Sequence, residues 1–301
     1  MSTDTTHLDP SHGAGGPGPE GSADGTGQGA ARGDDRASGT AYPWDQGGGS
    51  RADERGLPFT RLLRTELRKT VDTRGGRWLL VVIAALTVLA TGLAMWLGRD
   101  AGATYPTLLT TAVLPQAVLL PVLGILTAAS EWSQRTALVT FTQEPRRLRV
   151  MAAKTLAALG LGLLVVALTL GLAALAHVAS VSLAGGDVDL SVPWHLYVGV
   201  VALQVVYVLM GVAFGALLLN VPLAIAAFFA LPVLISLATM SIGWLGERSG
   251  WIDPNVAAVP FTAVDQAPTT EQWQQLGVTT VWWVLIPLAL GLWRVARREV
   301  K

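Results

Sequence analysis

The stretch WLLVVIAALTVLATGLAMWL, residues 78–97, decides the fold. It contains no charged residue, and it has the length a helix needs to cross the apolar core of a bilayer, about 20 residues. Comparable runs follow it: Thr107 to Ala129, interrupted by Pro115 and Pro121; Thr155 to Val178; His195 to Leu219; Val221 to Ile242, carrying Pro222 and Pro232; and Val278 to Trp293, the shortest. Because only helices and closed barrels satisfy their backbone in lipid, the expected fold is all-α: a polytopic membrane protein with about six transmembrane helices.

The composition agrees. Of 301 residues, 51% are hydrophobic and 14% charged, against about 25% charged in soluble domains. That average conceals two regions. Residues 1–56 are built from Gly, Ser, Asp, Thr and Pro with little to bury, so they are expected to form a disordered cytoplasmic tail. Residues 57–301 are expected to form the six-span domain. The formal net charge is zero, which gives no electrostatic basis for a nucleic-acid partner. There is no cysteine, which excludes disulfides, thiolate metal sites and cysteine nucleophiles. The N-terminus lacks a basic region followed by an apolar core, so no cleavable signal peptide is expected.

Charges between the runs set the orientation. Arg61, Arg64, Arg68, Lys69, Arg74 and Arg77 precede the first run; Arg135, Arg146, Arg147, Arg149 and Lys154 lie between the second and third; Arg294, Arg297, Arg298 and Lys301 follow the last. The alternate connections hold only Arg99 and Arg248, with Asp100, Asp187, Asp189, Glu247, Asp253, Asp265 and Glu271. By the positive-inside rule both termini face the cytoplasm, which an even number of spans allows. Trp78, Trp96, Trp194, Trp244 and Trp293 sit near run ends, where an amphipathic ring is favoured.

Two cytoplasmic segments stand out. In PFTRLLRTELRKTV, residues 58–71, Phe59, Leu62, Leu63, Leu67 and Val71 recur at helical spacing while Arg61, Arg64, Arg68 and Lys69 lie largely on other faces. This predicts an amphipathic helix in the cytoplasmic interface, serving either as a topology anchor on anionic lipid or as a lever for neighbouring helices. The second segment is SEWSQRTALVTFTQEPRRLRVMAAK, residues 130–154. Glu131 and Arg135 are four apart and would share a helical face, and Pro145 breaks the run. A helix, a break and a second helix leading into the third span are expected, forming either a solvated basic loop or a docking surface.

Taken together, the amphipathic helix, Glu131-Trp132-x-x-Arg135-Thr136 and Pro145-Arg146-Arg147-x-Arg149-x-x-x-x-Lys154 resemble the membrane (permease) subunits of ABC exporters of the type-2 class. Where that family usually carries Gly before the Thr, this chain has Arg135. The resemblance covers residues 59–301 by segment order. It implies a six-span permease in the plasma membrane that forms a homodimer or pairs with a similar permease, and that binds a separate ABC ATPase subunit. ATP and Mg would sit on that ATPase; this chain would bind no cofactor and would not be an enzyme. Phe59, Leu62, Leu63, Glu66 and Leu67 would belong to the connecting helix. Glu131, Arg135 and Thr136 would transmit movement, and Pro145, Arg146 and Arg149 would brace the third span.

Absences sharpen this. The sequence has no G-x-x-x-x-G-K-[ST] to cradle nucleotide phosphates. No Asp, Glu, Lys or Arg lies well inside a run, as ion-coupled carriers usually require. The four histidines offer no metal set: His7 and His12 lie in the tail, and His177 and His195 at span ends. Gly211 and Gly215 form a G-x-x-x-G that permits close helix approach, and Gln116 and Gln204 either line a cavity or bond to a neighbouring helix. Residues 243–277 are expected to form short helices on the outer surface. The rival to the permease reading is a polytopic anchor or regulatory subunit that docks a cytoplasmic partner without transporting. Deleting residues 2–50 should leave insertion and topology unchanged, checked by protease accessibility in sealed vesicles; an inverted or uninserted chain would refute the reading of the tail.

Overall fold

The computed structural model describes residues 58–98 and 103–298. The expected tail, residues 1–56, lies outside the described residues, as do Arg99, Asp100 and Lys301. Every helix named in the sequence forms. Helix α1 (Phe59–Asp72) runs into α2 (Arg74–Leu97) through Thr73, whose hydroxyl accepts the Gly76 N–H at 3.2 Å. Helices α3 (Tyr105–Ser133), α4 (Ala137–Gln143), α5 (Arg147–Ala184), α6 (Trp194–Leu218) and α7 (Val221–Ser241) follow. The short helices α8 (Gly243–Gly246), α9 (Ser249–Ile252) and α10 (Pro254–Ala258) and a 3₁₀ turn at Val259–Thr262 precede α11 (Thr270–Thr280), a π-helical turn at Val281–Leu285 and α12 (Ile286–Arg297).

Six of these stretches are long and apolar enough to span a bilayer: α2, α3, α5, α6, α7 and the continuous run Thr270–Arg297. The chain is a multi-pass membrane protein. The second helix expected after Pro145 forms from Arg147 and is continuous with the third span, because nothing after Pro145 interrupts the ladder. The last stretch is not the shortest but 28 residues long. Its polar beginning is held by a capping box, in which Thr269 accepts the Gln272 N–H and the Gln272 side chain accepts the Thr269 N–H. Pro287 has no N–H for the carbonyl of Trp283, four residues earlier, and the widened π turn falls at this point. Pro222 occupies the first turn of α7, where a missing N–H costs nothing.

Helices α3 and α6 are central. Of their most apolar windows, 61% is buried within the chain, against 17% for α2 and α7. Lipid is as apolar as leucine and does not drive helices together, so close packing has to. The G-x-x-x-G of α6 provides it: an added Cβ at Gly211 would lie 2.1 Å from the carbonyl oxygen of Pro121 on α3, and one at Gly215 would lie 2.9 Å from the Ala128 Cβ. The motif therefore packs within the chain. Across the same bundle Gln116 donates to Thr169 on α5. At the far end of α5, His177 is satisfied on both ring nitrogens, Nδ1 lying 2.8 Å from the Ala103 carbonyl oxygen and Nε2 accepting the Asp189 N–H at 3.2 Å.

Gly211→Ala should destabilise the detergent-solubilised protein by the cost of overpacking a close contact, about 1–3 kcal/mol, read as a lower thermal midpoint. Gly160→Ala, where an added Cβ meets nothing within 4 Å, should be neutral or stabilising by up to about 1 kcal/mol through helix propensity. Equal behaviour of the two variants would contradict the α3–α6 contact.

Candidate functional site

Helix α1, the end of α3, α4 and the start of α5 meet at one end of the bundle, here the basic end. The apolar stripe read from the sequence is only part of the face that α1 buries. Leu62, Glu66 and Thr70, four apart, are its buried residues; Phe59, Leu63 and Leu67 are half-buried beside them, and Val71 is exposed. A glutamate thus occupies the middle of the inward face, and the reason is its partners.

Glu66 and Lys154 are nearly fully buried, at 1% and 4% exposure. The Lys154 ammonium donates to Glu66 Oε2 at 2.8 Å and lies 3.1 Å from Glu131 Oε1. Lys69 donates to Glu66 Oε1 at 2.8 Å and to Glu131 Oε1 at 2.9 Å. Two carboxylates and two ammonium groups thus alternate around a closed ring drawn from α1, α3 and α5. A charge brought out of water alone would cost several kcal/mol, which only close, hydrogen-bonded opposite charges offset. Burial of Lys69 pulls its pKa down, but its hydrogen bond to Glu66 and the charges of Glu131 and Glu66 reverse this and hold it above its ordinary value. A cavity of about 340 Å³ lies against the ring, lined by Thr73, Gly76, Thr127, Ser130 and Thr140 among others.

The predicted Glu131–Arg135 pairing is not what engages Glu131. Helix α3 ends at Ser133, so Arg135 is no longer one turn along the same face. Arg135 instead adopts left-handed backbone, φ 58°, and is exposed. The Thr136 N–H then folds back onto the Glu131 carbonyl oxygen at 2.9 Å, satisfying one of the free acceptors at the helix end. The expected break after α4 does fall at Pro145. Glu144 is buried beside it, accepting Arg149 Nη1 at 3.2 Å and the Arg146 N–H at 3.4 Å.

From here the contacts run to the last span. Arg147 donates to the carbonyl oxygens of Val295, at 3.0 Å, and of Arg298. Arg294 donates to the Leu217 carbonyl oxygen at the end of α6, at 2.6 Å. The Arg298 guanidinium lies 5.5 Å from the centre of the Trp132 ring, within cation–π range. Among the residues singled out from the sequence, Glu66 and Glu131 join the charged ring; Arg146 and Arg149 gather around Glu144; Arg135, Thr136 and Pro145 are exposed. Sequence reasoning did not place Lys69 in the ring or Glu144 and Arg147 in the surrounding network. One signal was present: an acidic residue four after Leu62 on an otherwise apolar face needs a buried cation. Among the described residues, no group of three His, Asp or Glu is placed to hold a metal ion.

No protein-family model and no curated protein matches this chain.

Lys154→Met should be strongly destabilising, by about 3–5 kcal/mol, because it strands a buried carboxylate. Adding Glu66→Gln should recover much of that loss, since Lys69 and Glu131 would still pair. Thermal unfolding in detergent measures both. A single variant as stable as the parent, or a double variant that recovers nothing, would contradict the ring.

Proposed function

We propose that this chain is the membrane-spanning permease subunit of an ATP-driven exporter of the type-2 ABC class. The observation that carries the reading is the ring of Glu66, Lys69, Glu131 and Lys154, because it makes three separate elements move as one. Helix α1 lies at the start of the domain, α3 is in the centre of the bundle, and α5 follows the loop that carries α4. Breaking a buried pair costs about 3–5 kcal/mol, so a push on this end displaces α1, α3 and α5 together rather than shearing them apart.

In this reading the basic end faces the cytoplasm, in keeping with the distribution of Lys and Arg. The segment from Gln134 to Arg146 is the surface on which a separate ABC ATPase bears. Leu138 and Val139 of α4 are 52% and 60% exposed, an apolar contact flanked by Arg135 and Arg146. The left-handed conformation of Arg135 also fits the resemblance, since it falls where the type-2 permeases usually carry glycine, the residue that adopts such backbone without strain. ATP and Mg belong to the ATPase, and this chain is not itself an enzyme. It works as a homodimer or with a similar permease in the plasma membrane. The scarcity of fixed charge within the spans points to a hydrophobic or amphipathic substrate.

Purification from the native membrane in mild detergent should recover a Walker-A ATPase in equal amount with this chain. Its absence, under conditions that preserve a known ABC complex, would put the anchoring or regulatory role ahead. Glu131→Ala keeps the Glu66 contacts to Lys69 and Lys154 but releases α3. It should insert and bind the ATPase normally, with ATP hydrolysis continuing and export lost. Normal export at normal expression would remove Glu131 from the coupling role.

A further inference from the structure

The segment between α7 and the last span forms the expected short helices, and its 3₁₀ turn at Val259–Thr262 packs against α6. Phe261 is 1% exposed, and its carbonyl oxygen lies 2.3 Å from where a Cβ on residue 199 would stand, so glycine is required there. Gly199 is about 7 Å along α6 from its start at Trp194, at about 1.5 Å per residue. This 3₁₀ turn packs on α6 at Gly199 and lines a cavity through Val259 and Thr262.

The cavity has a volume of about 190 Å³ and lies between α3, α6 and this segment. Its wall is mostly apolar, including Val113, Ala117, Leu203 and Val259, and none of its lining residues is charged. Gln204 lines it too; the residue is 3% exposed, and its Oε1 has no hydrogen-bond partner. The Gln116 Oε1 is likewise without a partner, but the Gln116 NH₂ donates to Thr169 and the residue does not line this cavity, whereas Gln204 does. Ala117 is on the same wall, and Pro121, four residues later, has no N–H to offer its carbonyl. Tyr207 brings a phenol hydroxyl to the same wall, and the two remaining polar side chains are already engaged. Asn255 donates to Ser236 Oγ at 3.1 Å, and Thr262 donates to the Val259 carbonyl oxygen at 3.1 Å.

An apolar space with a few convergent polar groups is the usual form of a small-ligand site. We propose that this cavity binds the hydroxyl-bearing end of an uncharged amphiphile, with Gln204 as its polar anchor. A hydroxyl donates to the Gln204 carbonyl oxygen and accepts from the same amide's NH₂, so it is matched whichever way the amide is turned. An ion finds no counter-charge here. The volume lies below the 300–1,000 Å³ usual for drug-sized ligands, so the cavity takes the end of a molecule rather than a bulky whole. The site stands on its own geometry, whether or not the chain couples to an ATPase.

The test uses the full chain in lipid nanodiscs and two photoreactive probes, a diazirine-bearing octanol and the matching diazirine-bearing octane, with adducts mapped by mass spectrometry. The alcohol should label residues 113–117, 203–207 and 255–262 saturably, and excess unlabelled octanol should displace it. Gln204→Leu should weaken alcohol labelling about tenfold, as expected for one buried hydrogen bond, and leave octane labelling unchanged, which also shows that the cavity is intact. Ala117→Leu, which fills the space, should abolish both. Displacement by dioleoylglycerol in the disc would place the natural ligand among membrane lipids, and displacement by hexanediol among soluble alcohols; either result supports the site. Unsaturable labelling spread over the lipid-facing helices, or labelling indifferent to both substitutions, would overturn it and leave the cavity to water.

Discussion

One ammonium group, that of Lys154, meets two carboxylates from two different helices, and Lys69 closes the same circuit from the other side. Glu66 and Lys154 are buried because each finds two opposite charges in this ring, which offset the cost of bringing a charge out of water. Helix α1 therefore does not lie free on the lipid surface as an amphipathic anchor. It is docked into the bundle through the polar residue on its inward face, and the surrounding apolar side chains Leu62, Val150 and Met151 close over that contact.

The rest of the bundle obeys a different constraint. Between lipid-solvated helices no hydrophobic gain is available, so association depends on close backbone approach and on buried polar bonds. Helices α3 and α6 use the first: Gly211 against Pro121 and Gly215 against Ile125 and Ala128 bring their backbones together. Helices α3 and α5 use the second, through Gln116 and Thr169. The two constraints meet on α3, which is both the central packing helix and the carrier of Glu131. One helix thus carries both the charged ring and the central packing contact.

Much of the architecture was legible in the sequence. The apolar runs, the break at Pro145 and the order of the segments each depend on composition over neighbouring residues, which a linear reading captures. The errors arose where a helix outlasts its apolar stretch. Thr270 to Gly277, expected among the short helices of the outer segment, instead opens the last span, because a capping box at Thr269 starts that helix. The pairing of Glu131 with Arg135 assumed a helix that continues, whereas α3 ends at Ser133 and a left-handed residue turns the chain.

By itself the sequence determined the all-helical class, the number of candidate spans and the concentration of basic residues at one end, since each follows from which residues tolerate lipid and which require water. Only the tertiary structure decided which charges meet. Glu66 and Lys154 are eighty-eight positions apart, and no periodicity relates residues brought together by the packing of separate helices. The same holds for Gln204, whose isolated amide acquires meaning only because the segment around Phe261 packs beside Gly199 and leaves a cavity at its side. Spacing along the chain reports which face of a helix a residue occupies; what that face touches is set by the close packing of the whole bundle.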